Sequence, residues 1–282
     1  MAMDLQPPPA ATVEADVALA LAEDIGSGDV TAALLPDSTD SAYLLCKEDA
    51  VVCGRPWFDA CHRALDPQVR IHWRVAEGDR VPSGTVLATL EGRTRALVSA
   101  ERASLNFLQT LSATATTTAA YVDAVRGTGT RILDTRKTIP GLRQAQKYAV
   151  RCGGGANHRM GLFDALLVKD NHIRAAGSLA AAVTAARRAA PDLPLEVEVE
   201  TLHELQAALD LGCGLVLLDN MPPATMTEAA RRSRGRARLE ASGGVTLTTV
   251  RAVAQTGVDY IAVGALTHAA SSLDLALDWL TS

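Results

Sequence analysis

From about residue 125 onward the chain repeats one short pattern: a few apolar residues, a polar or glycine-rich turn, then an alanine-rich stretch of helical character. The apolar runs fall at 131–133, 165–168, 195–199, 215–218, 238–241 and 260–263. Strands that alternate with helices run parallel, because each helix carries the chain back to the edge from which the next strand starts. So many units in roughly 150 residues favour closure into a barrel over an open sheet. The class is α/β.

The earlier part of the chain is written differently. Residues 13–24 space their apolar side chains as an amphipathic helix does, and Gly26-Ser27-Gly28 ends the run. Between 41 and 90, β-prone runs at 42–47, 69–75 and 86–90 are separated by Gly, Pro and Asp, with a helix expected over 56–65. Residues 95–125 read as helical, with a polar Ser112 to Thr118 stretch inside. These features predict an α/β domain with small strands over 1–115, a β/α-barrel domain over 116–270, and a carboxyl-terminal helix over 271–282 that packs back on the first domain.

Each strand of the second part is followed at its carboxyl end by chemically useful residues. Asp134-Thr135-Arg136-Lys137 follows the first and Lys169-Asp170-Asn171-His172 the second. Asp219-Asn220, Ser242-Gly243-Gly244 and Gly264-Ala265-Leu266 follow the last three. Glu196, Glu198 and Glu200 alternate with Leu195, Val197 and Val199, so they share one side of a strand. In β/α barrels the site is built at the carboxyl ends of the strands, which converges these residues on one mouth. The two late glycine turns are ordinary βα connections taken singly. As a pair after the last two strands they occupy the place where barrels hold phosphate on backbone N–H groups.

Charge points the same way. Only four of the 27 Lys and Arg residues are lysines, and three of those (Lys137, Lys147, Lys169) lie between Asp134 and His172. Arg136, Arg143, Arg151, Arg159 and His158 accompany them, in a chain whose net charge is -5. That balance argues against a nucleic-acid or anionic-membrane surface, both of which want a broad basic face, and suggests a polyanionic small molecule held locally. The five cysteines show neither C-x-x-C pairing nor His-spaced ligands. No leader-like segment or membrane-length apolar run is evident, so a cytoplasmic location is expected. Lys169 leaves a second reading open, a barrel lyase that uses its amine as a Schiff base. A phosphometabolite-binding protein without catalysis is a third.

Longer motifs carry a resemblance. They are Glu23-Asp-Ile-Gly26, Gly28-Asp-Val-Thr31, Ala100-Glu-Arg102, Asp134-Thr-Arg-Lys-Thr-Ile-Pro-Gly-Leu-Arg143, Gly153-Gly-Gly-Ala-Asn-His-Arg159, Val168-Lys-Asp-Asn-His172, Glu196-Val-Glu-Val-Glu200, Leu218-Asp-Asn220 and Thr256-Gly-Val-Asp-Tyr-Ile-Ala-Val-Gly-Ala-Leu266. With them the chain resembles the quinolinate phosphoribosyltransferase family almost end to end. The resemblance implies a sandwich domain joined to an incomplete β/α barrel, in a homodimer or an assembly of dimers. It implies transfer of phosphoribosyl from phosphoribosyl pyrophosphate to quinolinate, releasing pyrophosphate and CO2 and yielding nicotinate mononucleotide for NAD synthesis. Arg102, Arg136 and Arg159 would then grip carboxylates, with Thr135 and His158 completing that pocket and Arg102 reaching in from the neighbouring subunit. Lys137 and Lys169 would reach phosphate or carboxylate oxygens, with His268 beside the pyrophosphate. Glu198 and Asp219 would serve the ribose hydroxyls and the Mg2+ that travels with the diphosphate. Lys137, Lys169, Glu198 and Asp219 are the implied catalytic set. Ser242, Gly243, Gly244, Gly264, Ala265 and Leu266 would hold the 5-phosphate. The nearest rival is a relative acting on nicotinate or another mono-acid, which needs fewer pocket cations.

Overall fold

Val13, Val17 and Leu21 stand four residues apart and form the buried stripe of helix α1 (Ala10–Ile25), the first element of a computed structural model that describes residues 5–280. There follow β1 (Thr39–Cys46), β2 (Ala50–Val51), α2 (Arg55–Leu65), β3 (Arg70–Trp73), β4 (Arg80–Val81), β5 (Thr85–Arg93) and the long helix α3 (Thr94–Ala124). Strand β6 (Arg131–Leu133) precedes α4 (Arg143–Cys152), and then come β7 (Leu166–Val168), α5 (Asp170–Ala176), α6 (Leu179–Ala189), β8 (Leu195–Val199), α7 (Leu202–Asp210) and β9 (Leu215–Asp219). The chain ends through α8 (Pro223–Ser233), β10 (Arg238–Ser242), α9 (Val250–Ala254), β11 (Tyr260–Ala262), α10 (Ala265–His268) and β12 (Leu275–Trp279). None of these helices is long and apolar enough to cross a membrane.

Two units divide these elements. The first takes the chain up to Ala119, Ile139–Gly154 and everything from Ala269 on; the second takes Ala120–Thr138 and Gly155–His268. In the first unit an antiparallel sheet of order β12-β1-β5-β3 turns Ala42, Leu44, Cys46, Ala88 and Leu90 onto Phe58, Leu97, Leu105 and Leu108. A second core joins α1, α2, α3 and α4 around Trp57, Phe107, Leu111 and Tyr148. The polar stretch inside α3 is explained there: Ser112 Oγ accepts the Cys53 N–H and donates to the Cys53 carbonyl, and Thr116 Oγ1 accepts the Val51 N–H. Buried hydroxyls thus satisfy the backbone around β2, as buried polar groups must.

Two expectations are corrected here. Residues 271–282 do not form a helix: Leu275 and Leu277 alternate inward, a period of two, and β12 adds to the sheet edge beside β1. Thr281 and Ser282 lie outside the described residues. The cation-rich stretch between Asp134 and His172 is also not one cluster, since Arg143, Lys147 and Arg151 stand on α4 in the first unit, with Lys147 fully buried. Packing explains the split, because α4 inserts Ala145, Tyr148 and Ala149 into the helical core. Gly153, at its end, has no room for a side chain: a Cβ would run into the Ala115 carbonyl and Thr118.

His62 makes this core sensitive to acid. Its ring is 1% exposed, 4.7 Å from the Phe58 ring and 3.2 Å from Ser104 Oγ, and burial holds its pKa down at about 4. The folded state therefore keeps His62 neutral while the unfolded chain protonates near 6.5. Stability from this group is complete above pH 6.5 and is lost as pH falls toward 4, by about 3 kcal/mol in all. Urea unfolding at pH 7 and pH 4.5 is expected to show a steeper acid loss for the wild type than for His62→Gln; equal slopes would contradict this role.

The second unit carries a parallel sheet of order β6-β11-β10-β9-β8-β7. β6 and β7 stand at its two ends and do not pair with one another among the described residues. Ala156 instead lies along β6, donating to the Ile132 carbonyl at 2.9 Å and bridging Leu133. The barrel is thus incomplete, and an irregular segment runs along its open edge.

Candidate active site

Register decides which strand residues face the barrel interior. Glu198 pairs with Leu217 and Leu217 with Glu240, while Asp219 pairs with Ser242 one layer nearer the carboxyl ends. The three alternating glutamates of the sequence accordingly grade outward. Glu196 is 3% exposed in the interior, Glu198 is half-buried below the mouth, and Glu200 is exposed beyond the end of β8.

Two adjoining cavities open at that mouth, of about 330 and about 540 Å3, each within the usual range for small-ligand sites. Thr135, Arg136, Lys137, His158, Arg159, Lys169 and Glu198 line the first, over a floor of Leu167, Leu217 and Glu240. Gly243, Gly244, Val245, Thr246, Gly264, Ala265 and His268 line the second. Thr135, Lys137, Asp219, Ser242 and Ala262 belong to both and form the wall they share. A cationic chamber thus stands beside a glycine-lined one.

The cationic chamber is built from the backbone outward. Asp134, fully buried at the end of β6, accepts the His158 N–H at 2.9 Å and the Asn157 side-chain amide at 2.6 Å, which fixes the segment that presents Arg159. Arg159 donates to the Ala165 carbonyl at 3.2 Å. Burial and the neighbouring Arg136 guanidinium push its pKa down, against the pull of Glu196 and Asp164. A guanidinium destabilised by burial and by a neighbouring guanidinium suits the binding of an anion. Lys169 forms a 2.7 Å ion pair with Glu198. That pairing argues against the Schiff-base reading, which wants an amine removed from carboxylates.

In the other chamber, Gly243 has φ +102° and a Cβ there would collide with the Asn220 side chain, while Asn220 itself sits at φ 52° and donates its N–H to the Ser242 carbonyl at 2.9 Å. The β9 and β10 turns are interlocked, so glycine is required. Gly243→Ala is expected to cost about 1 to 3 kcal/mol of stability, read as a lowered Tm. An unchanged Tm would contradict the interlock.

Several sequence-level site residues stand elsewhere. Arg102 is exposed on α3 in the first unit and lines neither chamber. Leu266 is fully buried in α10 and lines neither chamber. The His172 Nδ1 accepts the Lys169 N–H at 3.0 Å and caps α5, which gives it a local structural task. Asp134 and Glu196 stand among the strand-end residues expected at the mouth but carry no individual role in the sequence reading, and Glu240 is not singled out there at all. Alternation along β8 was the available signal for Glu196, and the place of Glu240 just before Ser242-Gly243-Gly244 was the one for Glu240.

A cationic chamber and a glycine-lined chamber that share one wall, at the carboxyl ends of the strands of an incomplete parallel barrel, suit an enzyme site for anionic ligands. Comparison with known proteins makes this specific. Residues 29–112 match the family model for the quinolinate phosphoribosyl transferase N-terminal domain, and residues 114–278 the one for its C-terminal domain. A nicotinate-nucleotide pyrophosphorylase (carboxylating) of Mycobacterium leprae is 47% identical over 270 residues, covering 92% of this chain and 94% of its own. The solved nicotinate-nucleotide pyrophosphorylase of Francisella tularensis superposes with TM-score 0.93 at 42% identity, over 96% of this chain and 97% of that one. NadC of Streptococcus pyogenes gives TM-score 0.94 at 38% identity, over 98% and 99%. The chain belongs to the quinolinate phosphoribosyltransferase family.

Proposed function

We propose that the protein transfers phosphoribosyl from phosphoribosyl pyrophosphate to quinolinate with decarboxylation, giving nicotinate mononucleotide, pyrophosphate and CO2 for NAD synthesis. The carrying observation is the Arg136–Arg159 pair, whose mutual repulsion together with Lys137 and Lys169 fits a dicarboxylate. Opposed unit charges at 4 Å interact by about 4 kcal/mol at an effective dielectric near 20, so like charges brought together there need interposed cations. Lys137, on the wall shared by both chambers, meets that need between the carboxylates and the diphosphate.

In this reading Arg136, Arg159, Thr135 and His158 hold quinolinate, and Ser242, Gly243, Gly244, Gly264 and Ala265 hold the 5-phosphate, with the Leu266 backbone and His268 beside it. The pyridine nitrogen attacks the ribose anomeric carbon as the bond to pyrophosphate breaks, and the positive charge that builds on the ribose is stabilised by Glu198 and Asp219. The ring carboxylate next to the quaternised nitrogen then leaves as CO2, and a proton takes its place. Mg2+ bound to the diphosphate would supply neutralisation of charge on the leaving group. Glu198 and Asp219 suit it as hard oxygen donors, Glu198 keeping one oxygen on Lys169 and Asp219 one on the Asn220 amide.

The working unit is a cytoplasmic homodimer in which Arg102 enters the partner's cationic chamber. Exposed Val30 and Leu34 in the first unit, and Leu162 and Phe163 in the second, are 73 to 84% exposed and support a covering partner. A mono-acid substrate would leave cations unused. Competition between quinolinate and nicotinate tests this choice: quinolinate is expected to be consumed first at equal concentration, and preferential consumption of nicotinate would overturn it.

A further inference from the structure

Both ring nitrogens of His158 are engaged. Nδ1 accepts the backbone N–H of Arg159 at 2.7 Å, so Nδ1 carries no proton and the ring hydrogen sits on Nε2. Nε2 then donates to Glu196 Oε2 at 2.8 Å, and Glu240 Oε1 lies 3.7 Å away. Glu196 is 3% exposed, and its other oxygen, Oε1, is buried with no hydrogen-bond partner among the described residues. A buried carboxylate satisfied on one oxygen is a poor stabilising device, which points to a functional reason for keeping it.

The His158–Glu196–Glu240 triad brings its ligand atoms within 4.8 Å of one another, as a metal centre would. Metal on Nε2 would move the ring proton to Nδ1, where it would face the Arg159 N–H. The local backbone therefore disfavours a metal and favours a proton held in one place.

We propose that Glu196 is a positioning residue: by fixing His158 as the Nε2–H tautomer it keeps Nδ1 available to clamp the Arg159 backbone, and so aims the Arg159 guanidinium at the substrate carboxylate. The relay runs from the barrel interior to the pocket wall without Glu196 touching the ligand. Only its kinetic arm rests on the quinolinate reading, because the tautomer is a property of the ligand-free protein.

The test compares Glu196→Gln with Glu196→Met, two replacements of similar size of which only Gln retains an acceptor for Nε2–H. In enzyme labelled with 15N histidine, with the His158 signals assigned by their loss in His158→Ala, the wild type and Glu196→Gln are expected to show a protonated Nε2 and an acceptor Nδ1. Glu196→Met is expected to lose that single tautomer and to raise the KM for quinolinate about tenfold to a hundredfold, with a smaller change in kcat. Glu196→Met should add little in a His158→Ala background, since the two act in one chain. A proton on Nδ1 in the wild type overturns the proposal whatever the substrate. So does a Glu196→Gln enzyme as impaired as Glu196→Met, which would assign the effect to charge balance on Arg159 instead.

Discussion

Lys137→Ala and Lys169→Ala each lose about 10² to 10³ in turnover while the fold survives, because a charge-assisted contact made mainly in the transition state is worth on the order of 2 to 4 kcal/mol. Neither side chain is packing material. Lys137 is exposed on the wall shared by the two chambers, and the Lys169 side chain is 40% exposed with its Nζ on Glu198. The Lys137 backbone is held independently, its N–H by Thr135 Oγ1 at 3.0 Å and its carbonyl by the Thr267 hydroxyl at 2.7 Å, so truncation beyond Cβ leaves the loop in place. Steady-state kinetics with thermal melts on both variants check this. Wild-type turnover in the two would remove these lysines from the chemistry.

Arg102→Ala is expected to be nearly inactive by a different route. The residue is exposed on α3 and lines neither chamber of its own chain, while the resemblance carried by Ala100-Glu101-Arg102 implies a carboxylate-binding role for it. Both statements hold if Arg102 completes the partner's site. Inactive Arg102→Ala and inactive Lys169→Ala chains, dissociated and reassociated together, then form mixed dimers with one intact site of two. Random reassortment makes about half the dimers mixed, so recovery should approach roughly a quarter of wild type. Verified mixed dimers that recover nothing, from parents that each fold and dimerise, would exclude the in-trans role.

The strands and the polar residues at their ends were legible because each of these signals is local. The apolar runs at 131–133 and 195–199 coincide with β6 and β8, and Thr135, Lys137, Lys169, Glu198, Asp219 and Ser242 do share one mouth. What remained hidden depends on tertiary context. β12 pairs with β1, more than 200 residues away in sequence, and nothing local in 271–282 announces that partner. Lys147 looked like its neighbours Lys137 and Lys169, and only the insertion of α4 into another core separates it from them. Glu196 and Glu198 are two residues apart on the same face, so sequence could not say that one meets the ligand chamber and the other meets His158. The depth of each along the strand decides that.

Phosphoribosyl transfer to a pyridine dicarboxylate gives products that can be counted directly. Quinolinate, phosphoribosyl pyrophosphate and Mg2+ incubated with the protein are expected to give nicotinate mononucleotide, pyrophosphate and CO2 in equal amounts, and none of the three without enzyme. Pyrophosphate released without nicotinate mononucleotide, or quinolinate bound and left unchanged by an enzyme with intact fold, would contradict the account.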